Sequence, residues 1–248
     1  MNSKDYLKRF QGSTLNKVSL MNLAKLQNLH LQRIPFENLD VIRKVPIYLN
    51  LDRIYEKIVH NSRGGYCYEV NGLFNWLLSE LGYDAHLAAA TVLKSPGEWA
   101  KQDTHVAIIV HLDQPYLVDV GFGAATPSLP IPINGDKRAD INGEYWINQQ
   151  NNELYDLVQR NDIGERTLYR FSLDKRAHTY FHEGCVFNQV SKESAFTHAD
   201  IVTIATETGR ITLSDQTLTI VEYGVAVKNV LTEEQKARVL RDSFNLII

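Results

Sequence analysis

The clearest hydrophobic periodicity in the chain follows a pair of glycines at residues 64 and 65. Apolar residues recur behind this pair at the spacing of a helix with one buried face. They are Val70, Leu73, Phe74, Leu77, Leu78 and Leu81. Gly82 follows directly, at the place where a glycine commonly ends a helix. The pattern predicts a buried helix that begins near Cys67 and ends before Gly82.

Elsewhere the pattern is helical in the first third and strand-like afterwards. Ser19 and Asn50 are candidate caps of two further helices, and Thr232–Gln235 forms a capping box for a terminal helix. From Ala85 onward, short apolar runs rich in β-branched residues predict strands. These runs cover residues 87–93, 106–112, 116–122, 145–147, 153–158, 167–171, 201–205, 210–213 and 217–221. We expect a long loop at Gly121–Asp140, rich in Gly and Pro. Helices followed by strands indicate an α+β fold with a sheet or barrel of short strands.

Composition narrows the possible functions. The chain has 248 residues, of which 44% are hydrophobic, and a formal net charge of -3. This is enough for a sizeable core, and the sequence has no basic block of the kind that binds nucleic acid. No apolar run is long enough to cross a membrane, and the first residues lack the core of a signal peptide. Two cysteines do not make a disulfide framework. We therefore expect a cytoplasmic protein that binds neither nucleic acid nor membrane.

Cys67 lies where a cysteine can become reactive. The helix predicted to begin near it presents free backbone N–H groups and the positive end of its dipole, so the pKa of the thiol is expected to fall. The alternative is a small buried cysteine that only packs. Such a residue would need neither the glycine turn nor the start of a helix, which favours the reactive interpretation.

A nucleophilic cysteine needs a base, and the base needs an orienting group. His105 starts an apolar predicted strand, and Asp119 is a carboxylate inside another apolar strand, where a buried charge requires a partner. A structural histidine and a salt-bridged or turn-capping aspartate are the plain alternatives. An aspartate that accepts a hydrogen bond from an imidazole would instead fix the tautomer of that ring.

A plain hairpin is not expected to bring His105 and Asp119 together. A two-residue turn at Asp113-Gln114 would place Asp119 opposite Ile108, on the other face of the sheet. A three-residue loop would place both on one face with an offset of four residues, or roughly 13 Å. A bulge, a longer loop or another strand path is then required.

A second cluster of polar residues has spacing that could suit a metal ion, namely His178, His182, Glu183 and Cys185. It lacks a second paired motif, and the phenylalanines around it suggest ordinary strand. We expect no metal site here and interpret Cys185 as a buried structural thiol.

Four spaced motifs resemble those of the arylamine N-acetyltransferases. The first surrounds Cys67 and reads Arg-Gly-Gly-Tyr-Cys-Tyr-Glu-Val-Asn-Gly-Leu-Phe. The others are Ile34–Leu39, Thr104–Val106 and Asp119–Gly123, with weaker similarity at 194–196 and 208–213. Their order, Cys then His then Asp, also agrees with the family. The resemblance runs from about Arg33 to the end of the chain.

The resemblance implies a fold with a cysteine-protease-like core. An N-terminal helical bundle (1–84) would carry Cys67, a central β-barrel (85–190) would carry His105 and Asp119, and a C-terminal α/β lid (191–248) would complete the cleft. The segment Ser191–Glu193 departs from the Ser/Thr-Pro-rich stretch usual in the family.

The resemblance also implies chemistry. Cys67 would take an acetyl group from acetyl-CoA as a thioester, and an arylamine, hydrazine or N-hydroxyarylamine would then attack it, with His105 and Asp119 completing the triad. Phe36 and Phe122 would line the acceptor pocket unless they are core residues, and Gly121 and Gly123 would let CoA approach the backbone. Such an enzyme would act in xenobiotic metabolism or in a biosynthetic step, and we expect a monomer or homodimer.

Two other functions remain open at the sequence level. A thiol hydrolase or transglutaminase-like enzyme would use the same three residues with water or lysine as acceptor. A binding protein would carry an inert Cys67. Acyl-CoA separates the first from an acetyltransferase, because a protease-like enzyme would ignore it. Alkylation separates the second, because a thiolate paired with an imidazolium reacts faster than free cysteine at pH 6.

Overall fold

A computed structural model describes residues 1–13 and 17–246 of the chain. Within these residues the α-helices are α1 (Ser3–Arg9), α2 (Leu20–Arg33), α3 (Leu39–Ile42), α4 (Leu51–Tyr55), α5 (Cys67–Glu80), α6 (His182–Val190) and α7 (Glu233–Phe244). The strands are β1 (Phe36–Glu37), β2 (Asp84–Ser95), β3 (Glu98–Trp99), β4 (His105–His111), β5 (Pro115–Val118), β6 (Ile131–Pro132), β7 (Arg138–Asp140), β8 (Gly143–Gln149), β9 (Leu154–Asn161), β10 (Gly164–Ser172), β11 (Ile201–Ala205), β12 (Gly209–Ser214), β13 (Thr217–Glu222) and β14 (Val225–Val230). The α+β class predicted from the sequence is confirmed.

The predicted helix caps are confirmed. Ser19 and Asn50 accept hydrogen bonds from backbone amides three residues ahead, at the starts of α2 and α4. Thr232 opens α7 with a complete capping box. Gly82, after the end of α5, has φ +88°, a left-handed conformation that costs glycine little. These caps need only neighbouring residues, which is why the sequence reveals them.

The larger sheet follows the order β6-β5-β4-β2-β10-β9-β8-β7, and β3 pairs with β2. Strand β6 also packs against β8, so the sheet curls into a nearly closed barrel. Helix α5 packs on β2 and β4 with its apolar face. Phe74 and Leu77 of that face are fully buried in a core shared with Val106 and Ile108 of β4. The helix that begins with Cys67 is thereby fixed against the strand that begins with His105.

A second sheet has the order β1-β11-β12-β13-β14 and is antiparallel throughout. Phe244 of α7 packs on it together with Val202 and Leu213. Its first strand, β1, comes from the helical part of the chain and pairs Phe36 with Thr203. The division of the chain at residues 84/85 and 190/191 stays a prediction.

Some elements differ from the sequence expectations. The segment at residues 182–190, interpreted as strand, is helix α6, so that interpretation was wrong. The predicted loop at Gly121–Asp140 contains two short strands, β6 and β7. Each has too few residues for an alternating pattern to show in the sequence. In the described ranges 1–13 and 17–246, no helix is both long and apolar enough to cross a membrane.

Candidate active site

The turn before Cys67 is built around the two glycines. A Cβ atom at Gly64 would lie 2.0 Å from the backbone oxygen of Pro35, and one at Gly65 would lie 2.8 Å from Glu69 Cβ. The close approach lets Gly65 form a bridge with Phe36 of β1. The carboxylate of Glu69 then accepts the amide of Tyr66, in the manner of a capping box. The glycines therefore allow strand β1 and helix α5 to meet at Cys67.

Ion pairs between two basic and three acidic side chains stabilise this turn. Arg63 Nε donates to Glu37 Oε1 at 3.0 Å, and Arg63 also pairs with Asp40. Lys57 lies 2.8 Å from both Asp40 and Glu69. Burial alone would lower the pKa of Lys57, but the surrounding carboxylates raise it, so the charges stabilise one another.

Cys67 is the first residue of α5 and is 2% exposed. Burial raises the pKa of its thiol well above the ordinary value, although the backbone amides of Val106 and Tyr68 act in the opposite direction. The expected fall in pKa is therefore not found in the free protein. The helix start is present, but desolvation of a lone thiolate outweighs it.

His105 and Asp119 meet directly. His105 Nε2 lies 2.7 Å from Asp119 Oδ2, and both side chains are buried. The other donors to Asp119 are Tyr169 OH at 3.0 Å, Asn71 Nδ2 at 2.8 Å and the Gly121 amide at 2.7 Å. A carboxylate with four donors is fixed in place, and because it bonds Nε2 of His105, the other ring nitrogen of His105 is Nδ1.

The strand register explains how they meet. Three residues connect β4 to β5, and Ile108 pairs with Val118. Continuing this register places Asp119 beside Ala107, two residues from His105. The expected offset of four residues was wrong, because this three-residue loop pairs His111 with Pro115 and so gives an offset of two. Diagonal neighbours two residues apart lie within reach of long side chains. The predicted strand at 116–122 stops at Val118 in the structure, which frees Asp119 to turn toward the imidazole.

Asn71 and Tyr169 belong to the site although the sequence analysis did not single them out. Asn71 lies one helical turn after Cys67, and its side chain bonds Asp119, the carbonyl of Val106 at 2.7 Å and the amide of Val120 at 2.9 Å. The spacing of four residues from the cysteine was the available signal. Tyr169 is far away in sequence, on β10, and offered none.

A cavity of about 490 Å³ opens beside these residues. Cys67, His105, Phe36 and Phe122 all line it. The ring of Phe122 lies edge-on to the imidazole of His105, 5.2 Å between centroids. The ring of Phe36 packs beside Phe196, at 6.0 Å. Both phenylalanines therefore contribute apolar surface to the cavity that Cys67 lines, and both also pack against the protein core.

The two glycines after Asp119 have local structural reasons. A Cβ atom at Gly121 would lie 2.8 Å from Cys67 Cα and from Asn71 Nδ2, so only glycine fits against α5. Gly123 has φ +86°, a conformation that favours glycine. Gly121 lines the cavity at Cys67, and Gly123 lines a neighbouring cavity of about 640 Å³.

Two residues of the second polar cluster make contacts with the tyrosines on either side of Cys67. His178 Nε2 lies 2.8 Å from the carbonyl oxygen of Tyr68, and Cys185 is a buried free thiol, 2.9 Å from Tyr66 OH. Among residues 1–13 and 17–246, no group of three or more His, Cys, Asp or Glu side chains is arranged to hold a metal ion.

Comparison with known proteins agrees with this arrangement. A family model described as N-acetyltransferase matches residues 19–248. The chain is 32% identical over 279 residues to the pineal gland isozyme NAT-10 of arylamine N-acetyltransferase from Gallus gallus, covering 100% of this chain and 95% of that protein.

Solved structures are similar over nearly the whole chain. An arylamine N-acetyltransferase from Bacillus cereus, described with a unique Cys-His-Glu catalytic triad, superimposes with a TM-score of 0.92 at 28% identity, covering 99% of this chain and 98% of that one. In this chain the carboxylate bonded to His105 belongs to an aspartate. The Mycobacterium marinum enzyme in complex with CoA superimposes with a TM-score of 0.91 at 30% identity, covering 98% and 92%. From the family match, the full-length relatives and these folds, we conclude that the chain belongs to the arylamine N-acetyltransferases.

Proposed function

We propose that this acetyltransferase works by a ping-pong mechanism in which Cys67 carries the acetyl group, with acetyl-CoA as donor and an arylamine, hydrazine or N-hydroxyarylamine as acceptor. The observation that carries the proposal is the buried pair of His105 and Asp119, 2.7 Å apart, at the cavity that Cys67 also lines. This is the nucleophile, base and orienting group that acyl transfer through a thioester requires.

The first half-reaction begins with a proton transfer. Because burial disfavours a lone Cys67 thiolate, the thiol gives its proton to Nδ1 of His105, and the two charges form together. The imidazolium is stabilised by Asp119, which keeps its own negative charge. The thiolate then attacks the acyl carbon of acetyl-CoA, and CoA leaves with the proton from His105.

The second half-reaction uses the same residues in reverse. The acceptor amine is weakly basic and largely neutral at pH 7, so it needs an activated acyl group more than a strong base. As it attacks the acetyl-Cys67 thioester, His105 accepts its proton. The proton then returns to the Cys67 sulfur as the acetylated amine leaves. Backbone amides of Cys67 and Tyr68, at the free start of α5, are our candidates for binding the tetrahedral oxyanion.

The cavity suits these substrates. We assign Phe36 and Phe122 to the acceptor pocket because aromatic pairs add up to about 1.5 kcal/mol beyond the burial of their surface. We assign Gly121 and Gly123 to the path of CoA, since they line the two adjoining cavities and carry no side chain. Xenobiotic metabolism, a cytoplasmic location and a monomeric or homodimeric state stay predictions.

The proposal is tested by intact-protein mass spectrometry after mixing the protein with acetyl-CoA and no acceptor. We expect one acetyl group, mapped to Cys67, that is lost when an arylamine or hydrazine is added. An unmodified protein whose Cys67 still alkylates rapidly would contradict acetyl-CoA as donor and favour the thiol hydrolase.

The raised pKa of Cys67 gives a pH-dependent prediction. In His105→Gln the thiol has no proton acceptor, and a thiol with a raised pKa ionises only in more alkaline solution. Alkylation of Cys67 by iodoacetamide should therefore be lost at pH 6–7 and return as the pH rises, while the wild-type protein reacts across this range. Equal rates for both proteins at pH 6 would remove His105 from the activation of the thiol.

A further inference from the structure

A buried tyrosine hydroxyl connects the residue after Cys67 to the residue before His105. Tyr68 OH donates to the carbonyl oxygen of Thr104 at 2.8 Å. Asn188 Nδ2, from helix α6, donates to both of these oxygens at 3.1 Å. Tyr68, Thr104 and Asn188 are 0%, 6% and 4% exposed, so little water is present to replace these bonds.

We call the hydrogen bonds among Tyr68, Thr104 and Asn188 the bridge, and they supply donors that strand β4 lacks on one edge. Strand β2 pairs with β4 from His105 to His111, whereas β5 pairs with its other edge only from Ile108 onward. The carbonyls of residues 104 and 106 therefore lack a strand partner on that edge. Buried carbonyl groups are almost always hydrogen-bonded, so side chains from outside the sheet must supply the donors.

Helix α5 supplies both donors. Tyr68 OH reaches the carbonyl of Thr104, and Asn71 Nδ2 reaches that of Val106 at 2.7 Å. The two acceptors flank His105 in the strand, and both donors lie within one turn of the start of the helix. The backbone on both sides of His105 is thus bonded to the helix that carries Cys67, once through Asn71 and once through Tyr68.

The far end of the bridge belongs to helix α6 and the segment after it. Ser194 Oγ donates to Asn188 Oδ1 at 3.0 Å, so the amide of Asn188 is oriented with its nitrogen toward Tyr68 and Thr104. Tyr68 itself packs between two aromatic rings, Tyr66 at 5.0 Å and Phe181 at 6.2 Å. The ring is therefore also held by packing, and the hydrogen bonds of its hydroxyl are those to Thr104 and Asn188.

We propose that the Tyr68 hydroxyl, oriented by Asn188, is a positioning group that sets His105 for proton exchange with Cys67. This inference rests on the proposed function. Loss of the hydroxyl would leave the carbonyl of Thr104 with the longer bond from Asn188 and let the start of β4 shift. A misplacement of about 1 Å can cost about 10²-fold in rate. The hydroxyl contacts neither reacting atom and would act through the backbone of Thr104.

The test compares Tyr68→Phe with Tyr83→Phe. Tyr83 is also buried and also donates from its hydroxyl to a carbonyl, that of Ser19 at 3.1 Å, but at the far end of α5. We expect Tyr68→Phe to slow single-turnover acetylation of Cys67 by about 10- to 100-fold, with the KM for acetyl-CoA changed much less. The pH dependence of Cys67 alkylation by iodoacetamide should shift to higher pH by about one unit. Tyr83→Phe should retain the wild-type rate and profile.

A second variant keeps the inference testable if Tyr68→Phe fails to fold. Asn188→Ala should shift the alkylation profile in the same direction but less, because it removes the longer of the two side-chain bonds to Thr104 and leaves the shorter one from Tyr68. The double variant leaves the carbonyl of Thr104 without either donor and should show the largest shift. Wild-type profiles in folded Tyr68→Phe and Asn188→Ala would overturn the inference. Alkylation does not use acetyl-CoA, so this result is separate from a failure of the acetylation test.

Discussion

Cys67→Ser is expected to lose acetyl transfer almost completely, by about 10⁴-fold or more. A serine at this position can still accept the amide of Val106, as the sulfur does, so the fold should persist. Its hydroxyl is far less acidic than a thiol, and burial makes the charged form less favourable still. His105 is then too weak a base to generate the nucleophile. Cys67→Ala should be equally inactive.

Cys185→Ser is the matched control. Cys185 is the other buried thiol of the chain, and its contact with Tyr66 OH can be made by a serine. We expect this variant to keep its turnover and its acetyl adduct in steady-state assays and mass spectrometry. Turnover in Cys67→Ser above about one hundredth of the wild-type rate, or loss of the adduct in Cys185→Ser, would contradict the assignment of the nucleophile.

Asp119→Asn is expected to lower kcat by about 10³- to 10⁴-fold, by analogy with loss of the orienting carboxylate in serine protease triads. One carboxylate oxygen receives the amides of Asn71 and Gly121, so an asparagine would keep its oxygen there. Its NH₂ group would then face His105 Nε2. The imidazole must accept that bond at Nε2 and carry its hydrogen on Nδ1, which is the wrong tautomer for taking a proton from Cys67.

Asp156→Asn provides the comparison. Asp156 is 5% exposed and pairs with Arg170 through two hydrogen bonds on the barrel, so it tests the loss of a buried carboxylate as such. We expect lower thermal stability but wild-type kcat for this variant. Folded Asp119→Asn, confirmed by circular dichroism, with a rate close to that of Asp156→Asn would remove Asp119 from the mechanism.

The sequence predicts the nucleophile's surroundings well because they are local. The glycine turn, the apolar face of α5 and Gly82 lie within about twenty consecutive residues, and helix caps such as Ser19 involve residues three positions apart. Spacing rules apply at this range without knowledge of the rest of the fold. The family motifs then add His105 and Asp119 as the candidates for the base and its carboxylate.

The rest of the site depends on contacts between segments that are distant in sequence. Asp119 receives donors from α5, β4 and β10, and which side chains meet there is decided only when the barrel closes. The pKa of Cys67 was misjudged for the same reason, since the helix start is visible in the sequence and the depth of burial is not. The helix α6 was interpreted as strand because its aromatic residues suit either element, and tertiary packing decides between them.

The pairing of β1 with β11 has a consequence for biosynthesis. Phe36 pairs with Thr203, and Asn38 bonds the backbone of Phe196, Ala199 and Ile201. A chain emerging from the ribosome therefore cannot form this pairing until Thr203 has been made, well after Cys67 has been added to the chain. Contacts so distant in sequence form slowly, and partly folded chains expose apolar surface. The nascent protein therefore passes through an interval in which Cys67 has been synthesised but the strand that pairs with Phe36 has not.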